Sequence, residues 1–112
     1  MKQINQIISS NQYKLITNQE TSTNVFETVY ACDLLSAVIK HGSKSPLLIT
    51  QIASVTTIGL CSMLDLPALI ITESKTLDEF SIEKANEENL AVIYTDLTSA
   101  EVIIDLKDRN IL

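Results

Sequence analysis

The sequence predicts a three-layer α/β/α domain with a mostly parallel central sheet of about four to five strands. Three observations carry that reading. From residue 25 onward, strand-like and helix-like segments alternate to the end of the chain. The segments LLIT (47–50), ALIIT (68–72) and LAVIYT (90–95) are apolar at nearly every position, as strands covered on both faces must be. The stretches between them repeat their apolar residues at helical spacing instead. The 112 residues fit one domain, 1–112, with no linker, low-complexity tract or internal repeat to divide it.

Each element has a local reason. Ile4, Ile7 and Ile8 repeat at helical spacing and predict a helix over 2–9, ended by Asn11. YKLIT (13–17) alternates weakly and reads as a first strand. NQETSTN (18–24) has no apolar anchor and reads as a surface loop. VFETVYA (25–31), rich in β-branched and aromatic residues, reads as a second strand. These two strands are more amphipathic than the later ones, which suits an edge position or antiparallel pairing. Asp33 stands where the N-cap of LLSAVIKHG belongs, and Gly42 where its C′ residue belongs, behind Lys40 and His41.

Pro46 opens the strand that ends at Thr50. In segment 52–64 the β-branched residues favour a strand, but length and the Ile52, Val55, Ile58 and Leu60 spacing decide for a buried helix. Pro67 opens the strand ending at Thr72. Thr76 and Glu79 have capping-box spacing and start a helix with Phe80, Ile82 and Ala85 inward and Glu83, Lys84, Glu87 and Glu88 outward. After the strand 90–95, Thr98 and Glu101 repeat the box spacing. The final helix buries Val102, Ile103 and Leu106 and carries Lys107 and Arg109 near its negative end.

Charge and composition exclude several functions. The net charge is -6 and no two Lys or Arg residues are adjacent, which argues against nucleic acid and against anionic membrane surfaces. Three tyrosines and two phenylalanines are too scattered for a base-stacking platform. Cys32 and Cys61 form neither a CxxC nor a Cys/His cluster, so neither a metal nor a cofactor is expected. MKQINQIISSNQ lacks the apolar core of a signal peptide, and no apolar run reaches the ~18–20 residues that span a bilayer. Free thiols then suit the reducing cytoplasm.

Two glycines, Gly42 and Gly59, cannot build a glycine-rich phosphate loop. Cys32, Asp33 and His41 are the residue types of a nucleophile, an acid and a base. Eight helical residues hold Asp33 and His41 about 12 Å apart, so a cap and a helix-end charge are the better reading, and no catalytic residue is expected. Cys32 reads as a half-buried thiol and Cys61 as core. The acidic pairs Asp78/Glu79 and Glu87/Glu88 read as solvated helix faces.

More informative are the residues that follow each strand: Asp33; Thr50 and Gln51; Thr72, Glu73 and Ser74; Thr95 and Asp96. Parallel strands would gather them at one sheet edge, where open α/β sheets bind ligands near a change in strand order. The same residue types also satisfy free N–H groups at helix starts. The edge therefore has two readings, caps or a site for a small polar ligand. Segment 51–64, with Gly59 inside it, has more apolar surface than one sheet face needs, which points to a homodimer.

ACDLLSAVIKHG (31–42), LPALIITES (66–74) and EKANEENLAVIYTDLTSAEVIIDL (83–106) resemble the DRTGG-domain family, above all its short stand-alone bacterial members. The N-terminal domain of HPr kinase/phosphorylase is similar. The resemblance spans 25–110 and implies a single DRTGG-like α/β domain with a non-catalytic, regulatory and dimerising role. The family's company with CBS modules implies a small metabolite or nucleotide as ligand. The alternative it implies is an assembly module that docks onto a larger enzyme or kinase without a small ligand. The literal D-R-T-G-G string is absent, and nothing tied to it carries over.

Overall fold

A computed structural model describes residues 2–41 and 45–112. In chain order the elements are β1 (Lys2–Gln3), α1 (Ile4–Ile8), β2 (Tyr13–Leu15), a 3-10 turn (Gln19–Thr23), β3 (Val25–Phe26) and β4 (Thr28–Ala31). There follow α2 (Leu35–His41), β5 (Pro46–Thr50), α3 (Val55–Met63), β6 (Ala68–Ile71), α4 (Glu79–Glu87), β7 (Ala91–Thr95) and α5 (Ser99–Asp108). The main sheet has the order β2-β7-β6-β5-β4. β4, β5, β6 and β7 are parallel, and β2 closes the β7 edge antiparallel, with Tyr13 opposite Thr95. The predicted mostly parallel three-layer α/β/α architecture is the one observed.

The strands β4 to β7 step across the sheet in one direction. Crossovers of one hand then place their helices on one face, and α2, α3 and α4 do share a face. Val38, Ile58, Cys61 and Ala85 pack there on Leu48, Leu69, Ile71 and Val92. On the other face, Ile4 and Ile7 of α1 and Val102 and Leu106 of α5 pack on Leu47, Ile49, Ile70 and Ile93. Leu47, Leu48, Ile49, Leu69, Ile70 and Ile71 are fully buried, which is why these segments do not alternate. Each such side chain contributes roughly 1.5–3 kcal/mol by leaving water.

Several boundaries differ from the sequence reading. The expected strand 25–31 divides at Glu27: Val25 and Phe26 pair with β1, whereas residues 28–31 pair with β5. Alternation reports which way side chains point, not which strand lies alongside. The expected helix over 2–9 gives Lys2 and Gln3 to β1 for the same pairing. The expected loop 18–24 contains a 3-10 turn in which Thr21 and Ser22 are buried. It is anchored by hydroxyl bonds, Thr17 to Thr21 at 3.1 Å and Thr21 to the Asn18 carbonyl at 2.7 Å, rather than by apolar contact.

The cap of α4 is Asp78, whose Oδ1 accepts from the Ser81 N–H at 2.8 Å, not Thr76. Small Ser81 and Ala85 face the sheet, whereas Phe80, expected inward, lies outward, 64% exposed. Small inward residues let the helix lie close. The Thr98/Glu101 box on α5 forms as expected, and Ser54 caps α3. Gly42, the expected C′ residue of α2, lies outside the described residues.

Candidate functional site

Asp33, Thr50, Gln51, Thr72, Glu73, Thr95 and Asp96 all lie at the C-terminal edge of the parallel strands, but they form two separate groups. The first joins β4 to β5. The Asp33 carboxylate accepts from Thr50 Oγ1 (2.7 Å), the Gln51 N–H (3.0 Å) and Gln51 Nε2 (3.1 Å). Partial burial raises the Asp33 pKa, but these donors outweigh it and hold the carboxyl below its ordinary value. The group is internally satisfied. The N-cap role expected for Asp33 is not the one it takes: α2 begins at Leu35, and the carboxylate latches two strand ends together.

The second group lies between β6 and β7. Here the chain leaves β6 for α4 on one face and leaves β7 for α5 on the other, so the two loops diverge and open a crevice. One wall is the loop 74–76, the other is residues 11–14 at the start of β2, and Tyr94, Thr95 and Asp96 lie between them. The cavity measures about 290 Å3. Its loop wall is firmly held. Glu73 N–H donates to the Leu97 carbonyl at 2.9 Å, Ser74 N–H to the Thr95 carbonyl at 3.1 Å, and Ser74 Oγ to Asp96 Oδ1 at 2.6 Å. These bonds hold Glu73 and Ser74 both at φ +60°, a left-handed conformation that costs non-glycine residues roughly 1–2 kcal/mol each.

Not every edge residue faces the crevice with a free group. Thr95 Oγ1 donates to the Gln12 carbonyl and accepts from the Leu97 N–H. Tyr94 accepts the Leu77 N–H at 2.7 Å. Thr72 is fully buried and its hydroxyl has no partner among the described residues. The crevice also contains residues that the sequence did not mark: Asn11, Gln12, Lys14, Lys75 and Thr76. Lys75 and Thr76 continue the loop of Glu73 and Ser74, whereas for Asn11, Gln12 and Lys14 the signal is topological. Only the antiparallel pairing of β2 with β7 carries the beginning of β2 to the edge where β7 ends.

Cys32, Asp33 and His41 assemble no catalytic set. The Cys32 thiol bonds locally to Leu34, Asp33 latches β5, and the His41 ring stacks on Tyr30 at 3.8 Å. Cys61 is buried in α3, and that burial pushes its thiol up to about 12. No described helix is long and apolar enough to cross a membrane.

Fold and site together define a doubly covered, mostly parallel α/β domain with a polar crevice at its strand ends. Among known proteins, the sequence matches no family model and no curated protein. A solved structure does match in fold: the CBS and DRTGG domains of the regulatory region of Clostridium perfringens pyrophosphatase, complexed with its activator diadenosine tetraphosphate. The TM-score is 0.71 at 18% identity, over 92% of this chain and 45% of that one. The chain thus spans under half of that structure, and in fold it is a DRTGG-like domain.

Proposed function

We propose that the chain is a non-catalytic regulatory module that senses a small polar ligand, a metabolite or nucleotide, at the C-terminal ends of its strands and works as a homodimer. The observation that carries this reading is the crevice between β6 and β7. It combines a firmly bonded loop, unspent hydroxyl and amide groups, and a point where the chain leaves adjacent strands for opposite faces of the sheet. Support also comes from the fold shared with the regulatory region of a nucleotide-activated pyrophosphatase. Of the edge residues, Asp96 and the Glu73 loop border the ligand, while Asp33, Thr50 and Gln51 keep the neighbouring strand ends in place.

The α2–α4 face supports the homodimer. Leu34, Ile39, Val55, Met63 and Phe80 are exposed there, from 42% at Val55 to 65% at Met63. Helix α3 carries no charged residue, and nothing within 4 Å lies above Gly59. A chain of net charge -6 meets its own copy with least repulsion across such an uncharged helix. The same apolar face would serve docking onto a larger enzyme, the alternative role.

Thermal denaturation against a panel of nucleotides and metabolites, with sedimentation equilibrium on the same sample, tests the reading. A two-chain mass and a rise in Tm with a subset of the panel are expected. A monomer at high concentration removes the dimer and leaves the ligand; a flat panel with a stable protein partner favours the docking module.

A further inference from the structure

We infer that the β6/β7 crevice takes a phosphate-bearing metabolite of about mononucleotide size, with Lys14 and Lys75 gripping the phosphate from opposite walls. This rests on the ligand-sensing role proposed above and specifies its ligand.

The argument begins with charge. The chain has 14 acidic residues against 8 Lys and Arg, yet two of those eight line one cavity. Lys14 comes from β2 and Lys75 from the loop after β6, so the two reach it from different elements. Neither makes an ion pair among the described residues. Among the lining residues the two lysines outnumber the one acidic residue, Asp96, whose Oδ1 accepts from Ser74 Oγ at 2.6 Å. Two like charges brought to one cavity repel each other, and a dianion between them reverses the sign of that interaction. Lysine ammonium groups act as point charges suited to phosphate.

The rest of the lining suits an organic body. The side chains of Asn11, Gln12 and Thr76 make no hydrogen bond among the described residues and offer both donors and acceptors. The volume, about 290 Å3, lies just below the ~300–1,000 Å3 of small-molecule sites, room for a body of about mononucleotide size. The bonds that fix Glu73 and Ser74 at φ +60° hold the base of the Lys75 wall before any ligand arrives.

The test is amide NMR of the full chain titrated with AMP, inorganic pyrophosphate and, as the neutral control, adenosine. AMP and pyrophosphate are expected to move the amides of Lys14, Ser74, Lys75, Thr76 and Asp96, less so as salt is raised, while adenosine leaves them in place. Because both lysines are exposed, the K14Q/K75Q variant should keep a dispersed spectrum and bind about tenfold more weakly. Equal shifts from AMP and adenosine, salt-independent binding, or unchanged affinity in the double variant would overturn the inference. If only uncharged metabolites move the crevice amides, the phosphate falls and ligand sensing stands. If no small molecule moves them, both fall.

Discussion

Replacing Asp33 with alanine should destabilise the domain through one buried hydroxyl rather than through three lost hydrogen bonds. The two Gln51 donors are half-exposed and can turn to water. Thr50 is fully buried, and Asp33 is the acceptor for its hydroxyl proton. Stranding a buried donor costs about 1–3 kcal/mol. At ~4–8 °C per kcal/mol, Tm should fall by roughly 5–20 °C. Thr50→Val removes the donor itself, although the Ile52 N–H then loses Thr50 Oγ1 as an acceptor. In the D33A/T50V double variant the loss should therefore be smaller than the sum of the single losses by about 1 kcal/mol or more. Urea denaturation of the four proteins measures that coupling. The pH dependence has a definite sign. The folded-state pKa of Asp33 is depressed, so its contribution is present above the unfolded carboxylate value near ~3.9 and is lost as pH falls through the folded value. Asp33→Asn should flatten that acid limb. Strict additivity of D33A and T50V would refute the latch.

Other consequences concern separate parts of the molecule. Thr72→Val exchanges a buried, unpartnered hydroxyl for a methyl and should leave stability unchanged or raise it by up to ~1 kcal/mol in urea melts. Arg109→Ala should cost about 2–3 kcal/mol, because the guanidinium holds Asp105 at 3.0 Å and also the Gln6 and Ile7 carbonyls that end α1. Met63→Glu puts a charge on the exposed α2–α4 face and should yield a folded monomer by light scattering, with Tm lowered only by the lost association. In a thiol-reagent time course Cys32 should react in the folded protein and Cys61 only on unfolding, since burial raises its pKa to about 12.

The core was legible because its signal is local. Residues 47–49, 68–71 and 91–93 are uninterrupted apolar runs, as strands covered on both sides require. The Thr98/Glu101 cap was legible for the same reason, since all its partners lie within three residues. What escaped the sequence depends on distant partners. Asp33 has the composition of a cap, and only the position of β5 beside β4 gives it a stronger role. Phe80 has the hydropathy of a core residue, but Leu77, Ser81 and Ala85, four residues apart, take the buried side and leave it outward. The edge residues were legible as a set, but their division was not. Strand order decides which of them satisfy one another, and the pairing of β2 with β7 alone adds Lys14 to the crevice.

The most direct check on ligand sensing needs no guess at the ligand's identity. Amide spectra of the isotopically labelled chain would be recorded before and after adding a protein-free small-molecule extract of cells. The account predicts movement concentrated at residues 11–14, 74–76 and 94–96, with the latch at Asp33 and Gln51 still. A spectrum that stays put throughout, or moves only along α2, α3 and α4, would contradict it.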